Sequence, residues 1–220
     1  MREYVTDPYH AARRAIAVRL LTSALRYAPA GPVVDLGAGP VPMAHRTTCH
    51  GRPVLVIDAA TPALRAGLGA GATGAACMDL TVGLALRDGS AAALLMGELI
   101  EHLYDPPALL HECRRVLRPD GVLVVTTPNL AGLQDRWRFL RGRSPRQVDA
   151  LHPYLRLHIR PFTADSLRAV LTDAGFRVTA LRSNYVGWQL PTGRWVQSRV
   201  AARLAPGLGG SLIACAQRRD

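Results

Sequence analysis

The sequence predicts an α/β fold: a doubly wound, mostly parallel sheet with helices on both faces. Short, continuously apolar runs at 33–36, 53–58, 91–96 and 122–126 alternate with longer stretches of helical spacing. Strands that lack the in–out alternation of a half-exposed sheet belong in a sheet covered on both faces. The runs at 33–36, 53–58 and 75–79 carry an acid at or near their ends, Asp35, Asp58 and Asp79, and Gly97 follows the fourth. Parallel sheets bind ligands beyond those C-terminal strand ends.

The elements follow in order. From about 8 to 27, Ala12, Ile16, Leu20 and Ala24 fall on one side of a helix that Pro29 and Pro32 end. The first strand, 33–36, runs into the turn Gly37-Ala38-Gly39. A short helix or turn is expected near 41–48, then a strand at 53–58. Thr61-Pro62 opens a helix, with Thr61 as cap. The glycine-rich stretch 67–74 is expected as loop and 75–79 as a short strand. After the run at 91–96, Leu109, Leu110, Cys113, Val116 and Leu117 mark one face of a helix over 106–117. Arg118-Pro119-Asp120-Gly121 reads as a turn before the strand at 122–126. Thr163 caps a helix that Gly175 stops. Strands at 176–181 and 212–216 complete the set.

With 220 residues and 49% hydrophobic content, the chain makes one domain, 1–220, with a full core. All 27 basic residues are Arg, which reads mainly as genome composition. The net charge of +11 still favours anionic partners. Cys49, Cys77, Cys113 and Cys215 form no C-x-x-C pair, so neither a zinc site nor a disulfide framework is expected, and a reducing cytoplasm is. Arg13, Arg14, Arg19 and Arg26 break up the first helix, so it is no signal peptide. No apolar run approaches the ~20 residues of a membrane span.

Further segments carry a family likeness. Gly97-Glu98-Leu99-Ile100-Glu101-His102-Leu103 with Asp105-Pro106, the stretch from Arg114 to Gly121, Thr126-Thr127-Pro128-Asn129, and Phe162-Thr163 with Ala174-Gly175-Phe176 occur in a fixed order after the glycine turn. Over roughly residues 30 to 182 the chain resembles the class I S-adenosylmethionine-dependent methyltransferases. The resemblance implies a seven-stranded, Rossmann-like methyltransferase fold. It implies that Asp35, Gly37, Ala38 and Gly39 line the methionine and ribose end of the cofactor. Asp58, with Ala59 beside it, would meet the ribose hydroxyls. Met78, Asp79 and Leu80 would border the adenine, and Gly97 would allow close approach beside the sulfonium. Val41-Pro42 departs from the family, which usually keeps a glycine nearby. The glycine turn and Asp58 also suit a nicotinamide enzyme, but the segments from Glu98 onward do not resemble one.

Glu98, Glu101 and His102 would share one face if a helix began there. This resembles the metal-binding cluster of small-RNA 2′-O-methyltransferases and ubiquinone-pathway O-methyltransferases, with His158 as the further ligand. Three readings stay open: a divalent cation (Mg2+ or Mn2+) on Glu98, Glu101, His102 and His158; His102 as a metal-free general base; or a structural cluster.

The arginine-rich segment 136–146 lies where the family carries a substrate-covering insertion, expected over 130–162. Residues 1–30 are expected to form a helical cap; Tyr4, Tyr9, His10 and Arg14 lie on a segment that folds over the cofactor pocket in related enzymes, where a Tyr or Arg would reach the cofactor carboxylate, with ordinary helix packing as the other reading. One reading packs Trp137, Phe139 and Leu140 inward; another makes an electropositive lid over an anionic substrate. Nucleic acid is disfavoured, since no RNA-binding motif accompanies the arginines. A membrane surface is a third option, to which Trp195, Arg194, Arg199 and Arg203 would add. The remaining histidines, His45, His50, His111 and His152, read as surface or packing residues. The expected function is methyl transfer to an oxygen of a small polar or anionic metabolite, such as a natural-product intermediate. A cofactor-binding partner or regulatory subunit without methyl transfer, or transfer to nitrogen or carbon, is the alternative.

Overall fold

The structure is a computed structural model that describes residues 8–45, 48–149, 151, 155–189 and 192–219. Tyr4 and His152 lie outside these, and so does the side chain of Trp195.

Seven strands form one sheet in the order β3-β2-β1-β4-β5-β9-β6. They are β1 (Val33–Leu36), β2 (Val54–Asp58), β3 (Gly74–Cys77), β4 (Ala91–Gly97), β5 (Leu117–Pro128), β6 (Phe176–Ser183) and β9 (Ser211–Arg218). Only β9 runs antiparallel, wedged between β5 and β6. Strand order reverses between β1 and β4, and the chain ends there open a crevice at the switch point. The helices are α1 (Pro8–Ala24), α2 (Thr61–Gly69), α3 (Pro106–Val116), α4 (Leu133–Leu140), α5 (Ala164–Asp173) and α6 (Arg199–Leu204). Two apolar clusters cover the two faces. One joins Leu94, Met96, Leu123 and Val125 to α3 and α5, and the other joins Leu95, Val124 and Ile213 to α1. Neighbouring strand residues thus enter opposite layers, as the pleat requires.

Several expectations need correction. The buried stripe of α1 is Arg13, Ala17, Leu21 and Leu25, one residue on from the predicted face. No helix forms in the described part of 41–48. Two Asp35 hydrogen bonds hold that loop instead. Ala60, not Thr61, precedes α2, and its amide is held by Asp58 Oδ1 at 2.8 Å. Residues 118–121 bulge out of a continuous β5, between the pairs Ala91–Leu117 and Ala93–Val122. Asp120 there takes a positive φ of 61°. The cap on α5 is as expected, and it is reciprocal: Ser166 N donates to Thr163 Oγ1, and Thr163 N donates to Ser166 Oγ.

A hairpin pairs β7 (Val186–Gln189) with β8 (Trp195–Ser198) ahead of α6. It leans on α4 through Trp137 and Trp188, whose ring centroids lie 5.6 Å apart. Phe139 and Leu140 do not pack inward. Both are exposed, and Asp135 is the buried residue of α4.

Candidate functional site

At the ends of β1 and β4 lies a cavity of about 300 Å3, lined by Arg13, Arg14, Asp35, Gly37–Gly39, Met43, Gly97 and Glu98. Backbone geometry dictates the glycines. Gly37 has φ 63° and Gly39 φ 59°, a region that side chains with a Cβ rarely adopt. A Cβ on Gly37 would also press on Leu99 at 3.2 Å. The amides of Gly37 and Ala38 both donate to Ile57 O, folding the turn back onto β2.

The two acids at the strand ends hold the turn. Asp35 is fully buried, and its Oδ2 accepts hydrogen bonds from Met43 N at 2.8 Å and Ala44 N at 2.9 Å. Burial pushes its carboxyl up to about 6, with those two amides working the other way. Asp58 Oδ2 accepts from Gly39 N at 2.9 Å, so it meets the cavity through the glycine turn. Ala59 is exposed, and Met78 packs on the core. Asp79 is exposed, its Oδ1 accepting hydrogen bonds from Thr81 N and Thr81 Oγ1. Leu80 lines a second cavity with Leu103, Tyr104 and Asp105. The structure therefore brings Asp35, Gly37, Ala38, Gly39 and Gly97 together, joins Asp58 to them through one hydrogen bond, and leaves Met78, Asp79 and Leu80 apart. At Gly97 the direction a side chain would take is filled by Met43, whose Cε lies 2.0 Å from an ideal Cβ.

Glu98, Glu101 and His102 do not share a helical face. Glu98 sits in the left-handed region, φ 52°, and a 3-10 turn starts only at Ile100–His102. Two successive threonines of β5 take one glutamate each. Thr126 Oγ1 donates to Glu98 Oε1 at 3.0 Å, and Thr127 Oγ1 donates to Glu101 Oε2 at 3.1 Å. Because neighbouring strand side chains point to opposite faces, the glutamates part. Glu98 turns to the cavity, where Arg13 Nη1 meets its Oε2 at 2.5 Å. Glu101 turns to His102 and His158, and one ligand atom from each of these three lies within 4.8 Å of the others. Burial raises both carboxyls, Glu101 well above the usual range because the Glu98 charge adds to it, while Arg13 opposes the rise at Glu98. Among the described residues Glu101 Oε1 is buried without a hydrogen-bond partner, 4.0 Å from His102 Nε2. His102 Nδ1 lies 2.9 Å from Leu157 O, which makes Nδ1 the protonated nitrogen and turns the Nε2 lone pair toward Glu101.

A larger cavity, about 490 Å3, adjoins one turn earlier on α1. Tyr9, Gln134, Asp135, Arg146, Tyr185 and Gln197 supply its polar lining. Ser211 Oγ donates to Tyr9 Oη at 2.7 Å, and burial raises the Tyr9 phenol. Sequence reasoning missed Arg13, Met43 and, in this second lining, Tyr185 and Gln197. Arg13 had a signal: it stands in an apolar i, i+4 stripe with Ala17, Leu21 and Leu25, where an unpaired cation would not be buried.

A switch-point crevice with a glycine turn and strand-end acids defines an α/β protein built to hold a nucleoside-bearing cofactor. The family described as a methyltransferase domain matches residues 9–181. The chain belongs to the S-adenosylmethionine-dependent methyltransferases. A probable S-adenosylmethionine-dependent methyltransferase of Mycobacterium tuberculosis is 36% identical over 107 residues, which is 49% of this chain and 34% of that protein. The chain's match thus spans about a third of that relative's length. Among solved structures, a Burkholderia thailandensis 1,6-didemethyltoxoflavin-N1-methyltransferase bound to S-adenosylhomocysteine has 18% identity and a TM-score of 0.63, over 100% of this chain and 82% of that one. The [4+2]-cyclase SpnF has 16% identity and a TM-score of 0.61, over 91% and 79%. These two likenesses show the fold.

Proposed function

We propose that the protein moves the sulfonium methyl group of S-adenosylmethionine to a hydroxyl oxygen of a small polar or anionic molecule. The observation that carries this reading is the pairing of two cavities along α1, one bordered by Arg13 and the strand ends, the other by Tyr9. The first suits the cofactor. Its glycine turn admits close backbone approach, and Arg13 and Arg14 supply cations for the methionine carboxylate. Asp58, bonded to the glycine turn through Gly39 N, is placed for the ribose. The second cavity suits the acceptor, with Gln134 and Arg146 as donors and residues 130–162 as its cover.

The chemistry needs little beyond positioning. The acceptor oxygen attacks the methyl carbon, the carbon–sulfur bond breaks, and the pair of electrons stays on sulfur as S-adenosylhomocysteine. The hydroxyl proton passes to His102 Nε2. Glu101 stabilises the imidazolium so formed, and the Leu157 carbonyl fixes the ring. Orientation of reactants contributes roughly 7–11 kcal/mol in well-aligned systems, and a general base a further ~10²–10⁴-fold.

A second reading gives the same cluster a divalent cation. It is favoured by the orphaned Oε1 of Glu101 beside two imidazoles, and by a His102 ring whose other nitrogen bonds a carbonyl, as ligating histidines do. Glu101, His102 and His158 would hold the ion, and two nitrogens suit manganese, iron or zinc better than magnesium. Such an ion would lower the acceptor hydroxyl's pKa. Glu98, tied to Arg13, is outside this set.

The test is transfer of labelled methyl from the cofactor to a panel of hydroxyl, amine and carboxylate metabolites. Labelled ethers support the reading; labelled amines alone, or no transfer by protein that binds the cofactor, would overturn it.

A further inference from the structure

Exposed large apolar side chains are spread unevenly. Among the described residues outside the stretch from α4 to α6 they are few: Tyr27, Leu68, Val82 and Tyr104. Within it they crowd. Phe139 and Leu140 are 71% and 76% exposed, Leu151 is 94%, and Leu204 is 82%, with Val200 one turn before it. Single exposed apolar residues are ordinary; a group of them marks a binding surface. The elements that carry them are linked. Trp137 meets Trp188 of the hairpin, Arg146 Nε pairs with Asp135 at 3.3 Å, and β8 runs directly into α6.

The same stretch is strongly cationic. Residues 130–162 hold seven arginines against two aspartates, and one of the two, Asp135, is buried in its pair with Arg146. The Arg141 guanidinium stacks 4.5 Å over the Trp137 ring, and Arg199 and Arg203 flank Val200 on α6. Protruding apolar side chains set among arginines match an anionic lipid interface: the chains enter the acyl boundary and the guanidiniums meet lipid phosphates.

Other occupants fit less well. A second copy would bring the same positive charge against this surface. Nucleic acid would need exposed rings to stack on, and most of these side chains are aliphatic. No described helix is long and apolar enough to cross a membrane, so the contact is peripheral.

We propose that α4, the exposed Leu151, the β7–β8 hairpin and α6 seat the protein on anionic lipid surfaces. The acceptor cavity is lined by Leu133, Gln134 and Asp135 of α4 and by Gly187 and Gln197 of the hairpin, so it lies beside that seat. Resting on the methyl-transfer reading, the acceptor is then the polar head of an amphiphile taken from the interface.

The test is co-sedimentation with vesicles of phosphatidylcholine alone or mixed with phosphatidylglycerol, at low and high salt. S-adenosylhomocysteine binding is measured in parallel, which keeps failure of docking separate from failure of the cofactor reading. Binding to the mixed vesicles, at least tenfold weaker on phosphatidylcholine and at least tenfold weaker for Phe139→Ser/Leu140→Ser, supports the proposal. Both residues are solvent-exposed, so the variant retains its fold and its cofactor binding. No vesicle binding by protein that binds S-adenosylhomocysteine would overturn it, as an acidic protein partner would produce. Vesicle binding indifferent to the Phe139/Leu140 substitution would also overturn it.

Discussion

Arg13 Nη1 and Glu98 Oε2 stand 2.5 Å apart and join the first helix to the end of β4 beside the cavity at the ends of β1 and β4. Both side chains are nearly shut off from solvent, so loss of either leaves the other's charge poorly compensated. Removing one partner of a buried pair costs ~3–5 kcal/mol, because the other charge is stranded. Arg13→Ala should therefore lower stability by about that amount, and Arg13→Met/Glu98→Gln should recover most of it. Urea unfolding of the three proteins checks this. Equal losses in the single and double variants would show that the pair is not the cause.

Asp35 gives the protein a pH signature. Its carboxyl is raised to about 6 in the folded chain, against ~3.9 when unfolded. The native state thus holds the proton more tightly between those values. The stabilisation is complete below about pH 4 and is lost as pH rises through about 6, by at most ~3 kcal/mol. Asp35→Asn lacks a titrating group there, so its stability curve should lack that slope between pH 4 and 7. Asp35→Ala should do worse at every pH, since the Met43 and Ala44 amides lose their acceptor. Charge-assisted bonds of this kind contribute ~1.5–3 kcal/mol each.

Gly97 and Met43 are predicted to trade space. A Cβ at 97 would overlap the Met43 methyl, and overpacking of this kind costs ~1–3 kcal/mol. Gly97→Ala should lower Tm, and adding Met43→Ala should restore part of the loss. If the second substitution only deepens it, the contact is not what requires glycine.

His102 should govern rate without governing cofactor affinity. His102→Ala is expected to lower kcat ~10²–10⁴-fold while S-adenosylhomocysteine binds as before, and His102→Gln, which cannot accept the proton as a base, should not restore the rate. Chelator decides between the two readings of the cluster. Activity that survives it belongs to the imidazole acting alone. Activity that is lost and then restored by manganese or zinc requires an ion on Glu101, His102 and His158.

What was legible in the sequence was local or strongly periodic. The sheet strands announced themselves as apolar runs, and the Thr163 cap needed only Ser166 three residues on. Gly37 and Gly39 sat in a turn that only glycine fits. What was illegible depended on pairing at a distance. The β7–β8 hairpin is four residues a side, and nothing local distinguishes Val186–Gln189 as a strand. The stretch of Glu98, Glu101 and His102 looked helical because the spacing was right. It is not, because Thr126 and Thr127, nearly thirty residues later, pull the two glutamates to opposite sides. The reading that packs Phe139 and Leu140 inward rests on hydrophobicity alone, yet Asp135 is the buried residue of α4.

A crystal structure with S-adenosylhomocysteine bound would test the central claim most directly. The account predicts the methionine carboxylate beside Arg13 or Arg14, the sulfur within reach of Gly37 and Glu98, and the ribose beside Asp58. A ligand seated elsewhere, with this cavity unchanged and empty, would contradict it.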